Sequence, residues 1–176
     1  YLAGFLYVTE QNNHTVRKID VSTAEVTTLA GTPGMPGSAD GFGQAASFNS
    51  PRGICSYGGQ LYVVDKANNT IRQIDPVTGE VTTLAGTAGG WGSDDGIGPA
   101  ATFAAPVGIA AHGTMLHVTS SAFEIVRTVD PATGAVTTLA GSPNQAGHID
   151  GTGAAARFSE PRGLASDGTY LYVSDE

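Results

Sequence analysis

Residues 51–86 read PRGICSYGGQLYVVDKANNTIRQIDPVTGEVTTLAG, and this stretch decides the fold because its landmarks return at a fixed step of 55 residues. Leu61-Tyr62-Val63 has counterparts at Leu6-Tyr7-Val8, Leu116-His117-Val118 and Leu171-Tyr172-Val173. Thr-Thr-Leu-Ala-Gly fills 27–31, 82–86 and 137–141, and a Pro-x-Gly motif begins at Pro51, Pro106 and Pro161. Phe48, Phe103 and Phe158 keep the same step, as do the Asp-Gly pairs at Asp40, Asp95 and Asp150. No insertion breaks the register. A long internal repeat of this kind belongs to propellers, solenoids and arrays.

Within the second copy, turn residues separate four strand-like runs. Gly53–Tyr57 ends at Gly58-Gly59, and Gln60–Val64 follows with apolar side chains on both faces, as in a strand covered on both sides. Thr70–Ile74 leads into Asp75-Pro76-Val77-Thr78-Gly79, where Pro presets φ and Gly supplies the left-handed residue of a hairpin. Glu80–Leu84 is the fourth run, and its Thr82-Thr83 pair suits a polar outer edge. Gly86–Pro106 then reads as a long irregular connection. Four antiparallel strands and a linker make one propeller blade, so the expected class is all-β, with Phe48, Phe103 and Phe158 as plugs between blades.

The copies resemble NHL repeats, the six-bladed β-propeller family. Pro51-Arg52-Gly53-Ile54, Leu61-Tyr62-Val63-Val64-Asp65, Asn68-Asn69-Thr70-Ile71-Arg72 and Val81-Thr82-Thr83-Leu84-Ala85-Gly86 carry the resemblance. Asp95-Gly96-Ile97-Gly98 is similar to the longer bacterial and plant variety, in which Leu-Ala-Gly leads into an Asp-Gly-x-Gly loop. The resemblance covers the whole chain and implies the fold. It leaves function open, since the family includes protein-binding modules, RNA-binding modules and a metal-dependent lyase.

Three periods fill most of the 176 residues, whereas a closed ring takes about four to eight blades. One domain over 1–176 is expected, with a partial blade at 1–31, blades at 50–86 and 105–141, and a partial blade at 160–176. Two copies would close six blades as a homodimer, each junction blade drawing strands from both chains. The second strand is then offered twice, by Phe5–Thr9 of one chain and Tyr170–Ser174 of the other, so one must be displaced. The alternative is a fragment of a longer propeller. The absence of an initiator Met and the apolar start leave room for an upstream leader, tag or domain.

Charged residues make up 14% of the chain, against about 25% in an average domain, and Gly numbers 25. That profile suits turn-dense β structure and excludes coiled coils. A net charge of −8 with only 8 Lys and Arg, scattered singly, argues against nucleic acid as a partner. No apolar run approaches a membrane span, and the single Cys55 excludes a disulfide framework. The Ser, Thr, Asn and Gly surface with few Lys points toward a secreted or cell-surface origin.

The residues singled out for function lie at the expected channel mouth and loop tips. Arg52 and Arg162 open innermost strands, with Val107 at the equivalent place, so a partly cationic ring could take a carboxylate or sulfate; equally, each Arg could bond blade carbonyls or a nearby acid. Trp91 and Phe123, with Met35, are candidate apolar anchors for a partner, against a Trp91 folded over its own loop; Asn68 is a further ligand-binding candidate. Asp94 and Asp95 invite a calcium reading, but the loop lacks alternating acids and no metal is expected. The four histidines show no zinc spacing. Arg17, Arg72 and Arg127 hold one phase and read as scaffold paired with Glu10, Asp65 or a carbonyl. No cofactor is expected. The reading is a non-enzymatic, self-assembling module with a loop face for protein or glycan binding, the alternative being a hydrolase or lyase whose channel site spans several blades.

Overall fold

The computed structural model describes all residues from Tyr1 to Glu176. The step of 55 residues is a step of one blade. A first sheet contains β1 (Phe5–Glu10), β2 (Thr15–Asp20) and β3 (Val26–Ala30) in that order. A second contains β4 (Gly41–Phe42), β5 (Pro51–Tyr57), β6 (Gln60–Asp65), β7 (Thr70–Ile74) and β8 (Glu80–Ala85), in spatial order β4-β8-β7-β6-β5. A third contains β9 (Gly96–Ile97), β10 (Pro106–His112), β11 (Met115–Ser120), β12 (Ile125–Val129) and β13 (Ala135–Gly141), in order β10-β11-β12-β13-β9. A hairpin of β14 (Leu164–Ser166) and β15 (Leu171–Val173) ends the series. All pairings are antiparallel, and the last sheet does not join the first.

One expectation needs correction. The fourth strand is not the outer edge, and the linker is not irregular throughout: β4 pairs with β8 through Gly41↔Val81 and Phe42↔Glu80, and β9 pairs with β13 in the same way. The cause is the acid before each glycine. Asp40 accepts from Arg72 Nη2 at 2.7 Å and from Thr83 Oγ1 at 2.9 Å, so the linker is tied across the outer strand of the blade it enters. Asp95 does the same with Arg127 at 2.9 Å and Thr138 at 3.2 Å.

The cores lie between blades. Alternation along β6 sends Leu61 and Val63 into a cluster with Val16, Ala30, Ala46 and Phe48, and sends Tyr62 and Val64 into a second with Phe103, Ile109, Leu116 and Val118. Both faces of this strand are therefore covered, as its continuous apolar run predicts. Each interior hairpin closes on an aspartate: Asp75 accepts from the N–H groups of Val77 at 2.7 Å and Thr78 at 3.1 Å, which holds its carboxyl below the ordinary value, while Gly79 sits at φ 72°.

Glycine in Pro-x-Gly answers to a close approach between blades. β5 lies beside β1 and β10, and β10 beside β14, around the axis. A Cβ on Gly53 would stand 2.6 Å from the Val107 carbonyl and 2.9 Å from the Ile109 nitrogen. Replacing Gly53 by Ala is expected to cost about 1–3 kcal/mol through overpacking, read from urea unfolding; an unchanged midpoint would show that the inner strands can separate freely.

Candidate binding face

The inner strands wall a cleft of about 530 Å³. Its lining includes Thr9, Gln11, Arg52, Ile54, Ile109 and Arg162. The backbone that presents Arg52 is irregular for a reason. Pairing of β5 with β6 jumps from Pro51↔Asp65 to Ile54↔Val63, and that of β10 with β11 jumps from Pro106↔Ser120 to Ile109↔Val118. A bulge at Pro-x-Gly re-aims the middle residue. Side chains on neighbouring blades hold the segment in place: Thr9 donates to the Arg52 carbonyl, and Thr119 donates to the Arg162 carbonyl at 2.7 Å.

The two arginines differ in their partners. Arg162 is ion-paired with Glu160 through Nη2 at 2.8 Å and with Glu176 through Nε at 3.1 Å. Arg52 is half-buried and pairs with no carboxylate, while the Nε of both arginines is buried without a hydrogen-bond acceptor. Lys66, the first residue of a short 3-10 turn after β6, is not on the cleft wall but feels both charges: burial lowers its pKa, and the positive charges of Arg52 and Arg162 lower it further. Sequence reasoning passed over Lys66. Gln11, in its phase one repeat earlier, lines the cleft but carries no charge to mark the position.

The other singled-out residues fall elsewhere. Trp91 is 61% exposed and stands 6.3 Å, centroid to centroid, from Phe123. The indole thus meets the turn of the next blade rather than folding only on its own loop. Asn68 is buried, and its amide donates to Gly37 O and to Asp65 Oδ2, both at 2.7 Å, which leaves no proton for a ligand. Phe123 occupies the phase of Asn68, so aromatic contact with Trp91 replaces a hydrogen bond to the linker. Asp95 is engaged by Arg127 as above, and Asp94 accepts from Thr102 Oγ1 at 3.1 Å while its carbonyl accepts from Arg127 at 2.9 Å. A guanidinium stands where a cation would have to sit. His14 and His112 bond neighbouring blades, through Ser50 N at 3.0 Å and Ser166 Oγ at 2.8 Å. Burial pushes the Cys55 thiol up to about 12, far from thiolate chemistry.

The repeated arginines are scaffold. Arg72 is fully buried and holds Asp65 at 3.0 Å, Asp40 at 2.7 Å and the carbonyls of Ser47 and Ala39 at 3.0 and 2.9 Å. Its guanidinium lies 5.2 Å from the Phe48 ring, and that of Arg127 lies 5.5 Å from Phe103. Arg17 has only its Glu10 partner, at 3.1 Å, and the Thr27 carbonyl at 3.4 Å.

No protein-family model matches the chain. Among curated proteins, NHL repeat-containing protein 2 of Bos taurus is 32% identical over 125 residues, 65% of this chain and 17% of that protein. Its Homo sapiens counterpart is 30% identical over 144 residues, 76% of this chain and 20% of that protein. Among solved structures, an auxiliary nutrient binding protein from Bacteroides thetaiotaomicron superposes with a TM-score of 0.74 at 20% identity, over 97% of this chain and 42% of that one. A structural genomics protein of unknown function from the same organism gives 0.80 at 24% identity, over 98% and 42%. Virginiamycin B lyase from Staphylococcus aureus, crystallised as a catalytically inactive variant with quinupristin, gives 0.63 at 19% identity, over 98% and 45%. The chain thus spans less than half of these structures and a fifth or less of these relatives, and the structural likenesses establish fold alone. In repeat landmarks, blade architecture and relatives together, the chain carries NHL-like repeats folded as β-propeller-like blades.

Proposed function

We propose that the chain is a non-enzymatic NHL binding module that presents its channel mouth and loop tips to a ligand, and that two copies close a six-bladed ring. One observation carries the closure. Leu6 and Val8 on β1, and Val26 on β3, are 44%, 43% and 47% exposed, whereas the residues one repeat later, Leu61, Val63 and Val81, are buried. The buried set packs on Val16, Ala30, Ala46 and Phe48, and the residues two repeats beyond those four are Val126, Ala140, Ala156 and Phe158. Val126 and Ala156 are already buried within one chain, and Ala140 and Phe158 are half-buried, so this end offers part of the half-core that the other end lacks. Asp150 lies in the phase of Asp40 and Asp95, and Arg17 lies in the phase of Arg72 and Arg127, so a second copy would also complete this clamp. In that assembly β15 yields its place on β14 to β1 of the second copy, since both are second strands.

The binding reading is supported by a cleft whose wall carries cations and polar groups but no carboxylate, imidazole or thiol. A nutrient-binding protein among the structural neighbours agrees with it, while the lyase neighbour keeps channel chemistry as the alternative. Light scattering over a dilution series tests closure. A mass near twice 17.8 kDa is expected, falling to the single-chain value in Leu6→Glu. A single-chain mass at every concentration overturns self-closure and assigns the complementary face to further blades of a longer polypeptide.

A further inference from the structure

The geometry points to a site for a multiply charged carboxylate ligand at the channel mouth, built by Arg52 and Arg162 on the cleft wall, with Lys66 beside them. This rests on the reading of that mouth as the ligand face and names the chemistry it would select.

Three features converge there. The first is concentration of charge. Only eight lysines and arginines stand against sixteen acids in the chain, yet two of the eight, Arg52 and Arg162, line one cleft, and a third, Lys66, stands within reach of their charge. The second is incomplete pairing. Arg72 and Arg127, the two fully buried arginines, are each held by a carboxylate and two carbonyls or more. Half-buried Arg52 has no carboxylate, and Lys66 forms no ion pair. Two cations held close without counter-charge repel each other, and burial of Lys66 adds a desolvation cost; an anion between them relieves both. The third is shape. About 530 Å³ lies in the size range of small-molecule sites, and Thr9 and Gln11 add neutral hydrogen-bonding groups to the wall.

Carboxylates are favoured over neutral sugars because the cleft offers no aromatic face to stack on, while its guanidinium groups suit planar carboxylates. Arg162 is already paired with two acids, Glu160 and Glu176, both 61% exposed at the side chain. A ligand carboxylate competes with these for Arg162 and meets Arg52 and Lys66 unopposed. Two or more carboxylates on one small molecule suit two guanidinium groups in the cleft wall and a third cation beside it.

Calorimetric titration of the intact chain with citrate at low ionic strength, beside sulfate and glucose, tests this. Citrate is expected to bind at about 1 mM or tighter and to weaken as salt rises. Arg52→Gln and Lys66→Gln should each weaken it about tenfold, and Glu160→Gln, which frees Arg162, should tighten it several-fold. Folding of each variant is confirmed by circular dichroism, and Glu160→Gln, a change at an exposed side chain, gives the opposite sign that general destabilisation could not mimic. No citrate binding at about 10 mM, or equal binding in all variants, overturns the site; sulfate binding as tightly as citrate overturns the carboxylate assignment. A dimer that ignores citrate removes this site and leaves ring closure standing, whereas a single chain that binds citrate removes closure and leaves the site.

Discussion

Replacing Asp65 by Ala is expected to lower the unfolding free energy by about 3–5 kcal/mol, because the change strands a buried guanidinium. Asp65 is fully buried; its carboxylate accepts from the Asn49 N–H at 2.7 Å, from Asn68 at 2.7 Å and from Arg72 at 3.0 Å. Burial raises its pKa above the ordinary value, and those three donors oppose the rise. Without the carboxylate, Arg72 keeps Asp40 and two carbonyls but loses its only buried counter-charge, and Asn68 and the Asn49 N–H lose their acceptor. The third sheet shows how the fold manages without this acid. Ser120 stands in that phase, its hydroxyl donates to the Ala104 carbonyl at 2.9 Å, and Arg127 is held by Asp95 and the carbonyls of Thr102 and Asp94. Burial there pulls the Arg127 pKa below its ordinary value, the signature of a thinner counter-charge. Asp65→Ser should therefore cost less than Asp65→Ala. A loss below about 1 kcal/mol for Asp65→Ala in denaturant unfolding would mean that carbonyls and Asp40 satisfy Arg72 by themselves.

These contacts mark what could be read in the sequence. A feature present in every copy was legible: the strand runs, the Phe phase and the arginine at 17, 72 and 127 all follow from spacing and residue type. The two-residue strands β4 and β9 were not. They have no hydrophobic alternation and exist because an aspartate bonds an arginine 32 residues later in the chain, a long-range contact that no local window contains. At the channel, Arg52 and Arg162 were legible from their place before an inner strand. Lys66 was not, because it occurs in one copy only and its neighbours in that phase, Gln11 and Ser121, are uncharged. Asn68 invited a ligand because a side-chain amide at a loop tip usually faces water; here the preceding linker passes over it and takes its proton.

Phe103→Ala is expected to cost about 3–5 kcal/mol, whereas Phe158→Ala should cost less than about half of that in a single chain, although the two residues share one phase. Phe103 is fully buried, enclosed by the core between the second and third sheets and covered by the Arg127 guanidinium. Removing the ring leaves a cavity that strands on both sides cannot collapse into, because their backbones are held by ladder hydrogen bonds. Phe158 is only half-buried, unlike Phe48 and Phe103 in the same phase. The contrast becomes informative when assembly is measured beside stability. If a second copy supplies Arg17 and the exposed apolar residues of β1, Phe158 becomes a buried plug at the junction, and Phe158→Ala should weaken dimerisation by at least about tenfold while leaving single-chain unfolding nearly unchanged. Equal unfolding costs for the two variants would show that Phe158 is already enclosed within one chain. The complementary half-core would then have no vacancy to fill, and the ring of two copies would be excluded on packing grounds alone.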